Sequence, residues 1–171
     1  MRNSNWKETA ELIGIAAIVA SLVFVGFQFR QEHDIARSEV WSERNLIRAE
    51  LASLVSTNSE IWVKGLQGAE LTDADKARFT AIANLLLYKQ STHYLQRDTG
   101  ISPGLPEGIA LQLVDMLESY PGLKAFWMDH VSYHRARASL SPFHLHVERL
   151  SAMVDAGEIK AVPIDYFYPP Q

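Results

Sequence analysis

"AELIGIAAIVASLVFVGFQFRQEHD", residues 10–34, decides how the rest of the chain is read. Between Leu12 and Phe27 the only clearly polar side chain is Ser21, and the run is closed by Glu11 on one side and by Gln28 and Arg30 on the other. Leu12 to Phe29 is 18 residues, which as a helix rises roughly 27 Å. That just crosses a hydrocarbon core of about 30 Å, with little tilt. Eleven of these residues are Leu, Ile, Val or Phe. At roughly −0.3 to −0.6 kcal/mol each, insertion gains at most about 3–7 kcal/mol. Trp6 stands where an interfacial aromatic anchor is useful. A core helix of a soluble domain would show a polar face, and this run has none for more than four turns. A cleaved signal fits poorly, because Glu8 and Glu11 accompany Arg2 and Lys7 ahead of the run and Gln28–Glu32 offers no small-x-small cleavage site. The reading is an uncleaved transmembrane anchor over residues 1–30, with the lipid bilayer as its partner.

Beyond the anchor about 140 residues remain, enough for one domain with its own core. A formal charge of −4 and a pI near 5.8 give no electrostatic footprint for nucleic acid, so no nucleic-acid partner is expected. The chain has no cysteine, which excludes disulfides and thiolate metal sites. Arg30, Arg37, Arg44 and Arg48 follow the span, against Arg2, Lys7 and the terminal amine before it. The positive-inside rule therefore points to a cytoplasmic C-terminal domain on a single-pass protein.

No Gly or Pro lies between Gly26 and Gly65, so the anchor is expected to continue into a stem helix reaching about Ser56. Val40, Ile47, Leu51 and Leu54 share one face of that stem. Thr57-Asn58-Ser59 ends it, and residues 60–71 read as a short helical turn and loop, with Gly65 and Gly68 as stops. Thr72 and Asp75 form a weak capping signature before a helix to about Arg97, with Phe79, Ile82, Ala83 and Leu86 inside. Pro106 opens a helix carrying Ile109, Leu113, Met116 and Leu117, and Tyr120-Pro121-Gly122 breaks it. The next helix, through Leu123, Phe126, Trp127 and Val131, ends near Ala138. Ser141-Pro142 starts the last one, with Phe143, Val147, Leu150 and Val154 on one side and Gly157 as its stop. The tail "IKAVPIDYFYPPQ" is too rich in proline for a helix and reads as an extended arm, residues 158–171. The fold class is all-α: a transmembrane helix continuing into a stem, plus an antiparallel bundle of about four to five helices spanning residues 31–157.

Three stretches give the chain a resemblance. "WKETAELIGIAAIVASLVFVGFQFRQ" is an apolar span closing in Gln28-Phe29-Arg30-Gln31. "RFTAIANLLLYKQSTHYLQRDTG" is a helical element ending in Gly100, and "YPGLKAFWMDH" starts a helix with Pro-Gly-x-x-x-x-Trp. Together they resemble a family of small, functionally uncharacterised proteobacterial membrane proteins with one N-terminal span and a C-terminal helical domain. The resemblance covers most of the chain. Leu105-Pro106 departs from it, since that family often has an aromatic residue there. It implies a single-span anchor and a helical domain, and no activity or catalytic residues; the anchor is expected in a bacterial inner membrane.

Neither a phosphate loop, an HExxH, the paired ExxH of di-iron bundles nor a nucleophile elbow is present in the sequence. His130 and His134, four apart, share a face with Trp127 and Val131. His93 and His146 continue or border the apolar stripes of their own helices. These four are weak metal candidates, because converging neutral imidazoles ligate zinc. Helical phase does not fix their height along the bundle, so the expectation is no metal and no other cofactor. Each ring is instead expected to bond a neighbour such as Tyr133, Asn84, Gln90, Tyr166 or Tyr168. His144 reads as a solvated partner of Glu148. In the span, Gly14, Ala17 and Ser21, continued in phase by Gln28, form a seam of small residues suited to close helix packing. The leading functional reading is a non-enzymatic, membrane-anchored interaction protein that self-associates or serves a membrane complex. The alternatives are a metal- or small-ligand sensor on an anchor and, more remotely, a membrane-bound enzyme with a dispersed site.

Overall fold

The computed structural model describes residues 4–102 and 104–163. Among these residues every regular element is a helix: α1 (Ser4–Thr57), α2 (Ser59–Leu66), α3 (Asp73–Asp98), α4 (Pro106–Ser119), α5 (Pro121–Ala136) and α6 (Pro142–Asp155). The all-α expectation holds. By contacts the chain divides into two compact units, Met1–Ser42 and Glu43–Gln171.

In the first unit α1 exposes the whole apolar run. Leu12, Ile13, Ile18, Leu22, Phe24, Phe27 and Phe29 are all exposed. Among the described residues α1 is the one helix long and apolar enough to cross a membrane, and none of its apolar window is buried. With no Gly or Pro between Gly26 and Gly65, it stays α-helical to Thr57.

The second unit holds the core. It takes in residues 43–57 of α1, from which Leu51 is buried and Leu54 and Val55 are partly so. α3 packs against α2, α4, α5 and α6, and α4 packs against α3, α5 and α6. The stripes expected from the 3.6 period are the ones buried: Phe79, Ile82, Ala83 and Leu86 of α3, Leu113 and Leu117 of α4, Leu123, Trp127 and Val131 of α5, and Phe143, Val147 and Leu150 of α6.

Caps account for the boundaries. The Thr72 hydroxyl accepts from the Asp75 N–H at 3.2 Å and donates to its carboxylate at 2.8 Å, opening α3. Pro106, Pro121 and Pro142 each occupy a first helical turn, where no partner is needed for the missing N–H. Gly157, at φ +73°, ends α6 as its N–H reaches Val154 O at 2.9 Å.

Around α2 the structure adds to the sequence reading. Gly65 is the penultimate residue of α2, and a Cβ there would overlap the Phe79 ring. The short α2 is also a core element: Trp62 is 1 % exposed, and its ring lies 5.4 Å from that of Phe79. In the tail, Val162 N–H donates to the Asp115 carboxylate at 2.8 Å. Residues 164–171, including Tyr166 and Tyr168, lie outside the described residues.

Candidate functional site

The turn between α5 and α6 brings three histidines together. α5 ends as Ala138 adopts the left-handed conformation at φ +51°, with its N–H on Arg135 O and that of Ser139 on His134 O. That conformation costs a non-glycine residue about 1 kcal/mol. It returns the chain so that His144, in the first turn of α6, faces His130 and His134 of α5. The ring centroids lie 4.5 Å apart for His130 and His134, 5.4 Å for His130 and His144, and 5.3 Å for His134 and His144. Nε2 of His130 is 3.2 Å from Nε2 of His144. One nitrogen from each of the three rings falls within 4.8 Å of the others.

The neighbours orient these rings. The Trp127 indole stacks on His144 at 5.5 Å and 17°, and on His130 at 6.1 Å and 21°. Ser141 N–H donates to His144 Nδ1 at 3.2 Å, and Ser141 Oγ lies 2.7 Å from the same nitrogen. Because Nδ1 accepts, the neutral His144 ring carries its proton on Nε2 and donates it to His130. His134 Nδ1 contacts Ser139 Oγ at 2.9 Å. Burial first, and then the neighbouring His134 and His144, push the His130 pKa down to about 4. Burial, followed by His134, also lowers that of His144. All three rings are half-buried. Glu148, the expected partner of His144, instead pairs with Arg135 of α5. The interhelical ion pair leaves His144 to its own N-cap serine.

The other two sequence candidates lie elsewhere. His146 has both nitrogens engaged, Nδ1 with the Tyr94 hydroxyl at 3.1 Å and Nε2 with Arg149 at 2.9 Å. Arginine can only donate, so the neutral ring holds its proton on Nδ1 and gives it to Tyr94. His93 of α3 is half-buried, and its Nε2 has no hydrogen-bond partner among the described residues. Tyr133 meets His134 edge-on at 5.4 Å and also carries the Arg137 guanidinium 3.9 Å above its ring. Gln90 is directed to Gln112, at 3.5 Å.

No family model, curated protein or solved structure matches the chain.

A concavity of about 500 Å³ lies between the end of α1, α3 and α4, lined in part by Arg48, Lys89, Gln90 and Gln112. His93 belongs to the same cationic region. Desolvation lowers its pKa to about 4, helped by Arg44, Lys89, Arg97 and Arg48. The sign of the resulting pH dependence is fixed. Between pH 4 and the unfolded-state value near 6.5 the unfolded chain binds more protons, so stability rises with pH through that window. It is complete above about 6.5 and is lost as pH falls toward 4. The full shift at about 1.36 kcal/mol per pKa unit, reduced for solvent screening of a half-buried ring, leaves about 1–2 kcal/mol. His93→Leu should remove this dependence. Urea unfolding at pH 7 and pH 4.5 should narrow the wild type's stability relative to the variant by that amount, and an identical pH response of both chains would contradict it.

Proposed function

We propose that this chain is a single-pass protein of the bacterial inner membrane whose cytoplasmic helical domain works by binding rather than by catalysis, self-associating or serving a membrane complex. The observation that carries this reading is the exposed apolar run of α1, from Leu12 to Phe29. A contiguous surface of large apolar side chains on that scale is stable only against lipid or a partner. The arginines following the span support the cytoplasmic orientation.

Self-association is assigned to the seam of Gly14, Ala17 and Ser21. A Cβ on Gly14 would meet nothing within 4 Å, and Ser21 Oγ donates to Ala17 O at 2.9 Å, so its hydroxyl is satisfied within the helix. The face is therefore smooth, and a second helix can approach it closely. Light scattering of the detergent-solubilised full chain, with cross-linking in native membranes, tests the reading. The expected result is an oligomer or larger complex that Gly14→Leu disperses. A monomer without cross-linked partners in either chain would refute it. A C-terminal reporter active only outside the cytoplasm would overturn the orientation.

A further inference from the structure

We propose that His130, His134 and His144 form a binding site for one divalent transition-metal ion of the zinc class. This goes beyond the anchored binding role above and does not depend on it. The geometry comes first. A tetrahedral ion with metal–nitrogen bonds of roughly 2.0–2.1 Å needs ligand nitrogens about 3.3–3.4 Å apart. The Nε2 atoms of His130 and His144 are 3.2 Å apart, within about 0.2 Å of that spacing. His130 and His134 occupy successive turns of one rigid helix, so two of the three ligands are placed by α5 alone. Small side-chain rotations are enough to bring the third nitrogen in, since all three lie within 4.8 Å of one another.

The surroundings fit the same purpose. Ligating imidazoles are oriented by a hydrogen bond to the other ring nitrogen. Ser139 Oγ provides that contact for His134 Nδ1, and Ser141 Oγ provides it for His144 Nδ1. On binding, the proton on His144 Nε2 moves to Nδ1, where the Ser141 hydroxyl at 2.7 Å turns to accept it and the ring gives up the bond from the Ser141 N–H at 3.2 Å. No proton is lost from that ring. Stacking on Trp127 restrains both His130 and His144. An all-nitrogen set selects zinc, copper or nickel over magnesium or calcium, which take oxygen ligands. Three protein ligands leave a fourth position open to water or an exogenous ligand.

The test uses the full chain in detergent, purified without a histidine tag and stripped with a chelator. Isothermal titration with zinc chloride should give one site per chain, and cobalt(II) should give the visible absorption of a tetrahedral nitrogen-ligated ion. His134→Ala should weaken zinc binding at least tenfold, and Ser139→Ala, acting through His134, by about tenfold. His146→Ala, whose ring is held by Tyr94 and Arg149, should bind as the wild type does. His144 also serves the start of α6, so the decision rests on His134→Ala and on the wild-type cobalt spectrum. No stoichiometric binding by the wild type, or binding that His134→Ala leaves unchanged, would overturn the proposal.

Discussion

Gly122→Ala should lower the melting temperature of the helical domain by about 4–12 °C, the largest stability effect expected from adding a single methyl group to this chain. Gly122 lies in the first turn of α5, where that helix meets α2. A Cβ at this position would overlap the carbonyl oxygen of Gly65 and lie 2.8 Å from the backbone nitrogen of Gly68. Both obstacles are backbone, so no side-chain rotation relieves the clash. The two helices must move apart, disturbing the packing around Trp62 and Leu123. Overpacking of this kind costs about 1–3 kcal/mol and more where backbone must shift. At about 4 °C per kcal/mol for a domain of this size, the loss in melting temperature follows. Gly108→Ala supplies the contrast, because it also replaces a glycine in a first helical turn. Its Cβ would meet only an Arg97 nitrogen, at 3.4 Å. There the helix propensity of alanine prevails and stability should rise by about 0.5–1 kcal/mol. Thermal melts followed by circular dichroism should show opposite signs for the two variants, and equal melting temperatures would contradict the close approach of α5 to α2.

This pair of glycines also shows which parts of the structure a single sequence discloses. The 3.6-residue period marks the buried faces of α3, α4, α5 and α6 because each has at least three turns over which a stripe repeats. α2 has only eight residues, so Trp62 and Leu66 show no period and read as part of a short helical turn and loop rather than as core. The glycine of Tyr120-Pro121-Gly122 looks like punctuation, whereas its buried role is to admit a neighbouring backbone. That role depends on a contact more than fifty residues away in sequence.

The histidines follow the same physics. His130 and His134 share a face by spacing alone. Whether a third ring joins them depends on the α5–α6 turn and on the competing ion pair. Glu148 is four residues from His144 and looks like its partner, but it is taken by Arg135 across the helices. His146 sits on the expected apolar border, yet its position places it against Tyr94 of α3. Helical phase gives the direction a side chain points and leaves open the height at which it meets another helix.

Val19→Arg should move a large share of the protein out of the carbonate-resistant membrane fraction. Val19 lies near the middle of the eighteen-residue run, where no polar group is within reach of water at either interface. On the insertion scale a central arginine costs roughly 2.5–3.5 kcal/mol, and the substitution also removes the gain from valine of roughly 0.3–0.6. The change of about 3–4 kcal/mol consumes from about 40 % to all of the at most 3–7 kcal/mol estimated for the intact run. Partition therefore falls from strongly favoured toward balance. Arginine snorkelling can recover part of the loss, but an eighteen-residue span has no spare length over which to slide. Leu46→Arg is the matched control, since Leu46 lies on the same helix beyond the apolar run and is 71 % exposed. It adds the same charge without entering the hydrocarbon, so its membrane fraction should equal that of the wild type. If Val19→Arg is retained as fully as Leu46→Arg, the apolar run does not cross the bilayer, and its exposed face must be covered by protein instead of lipid.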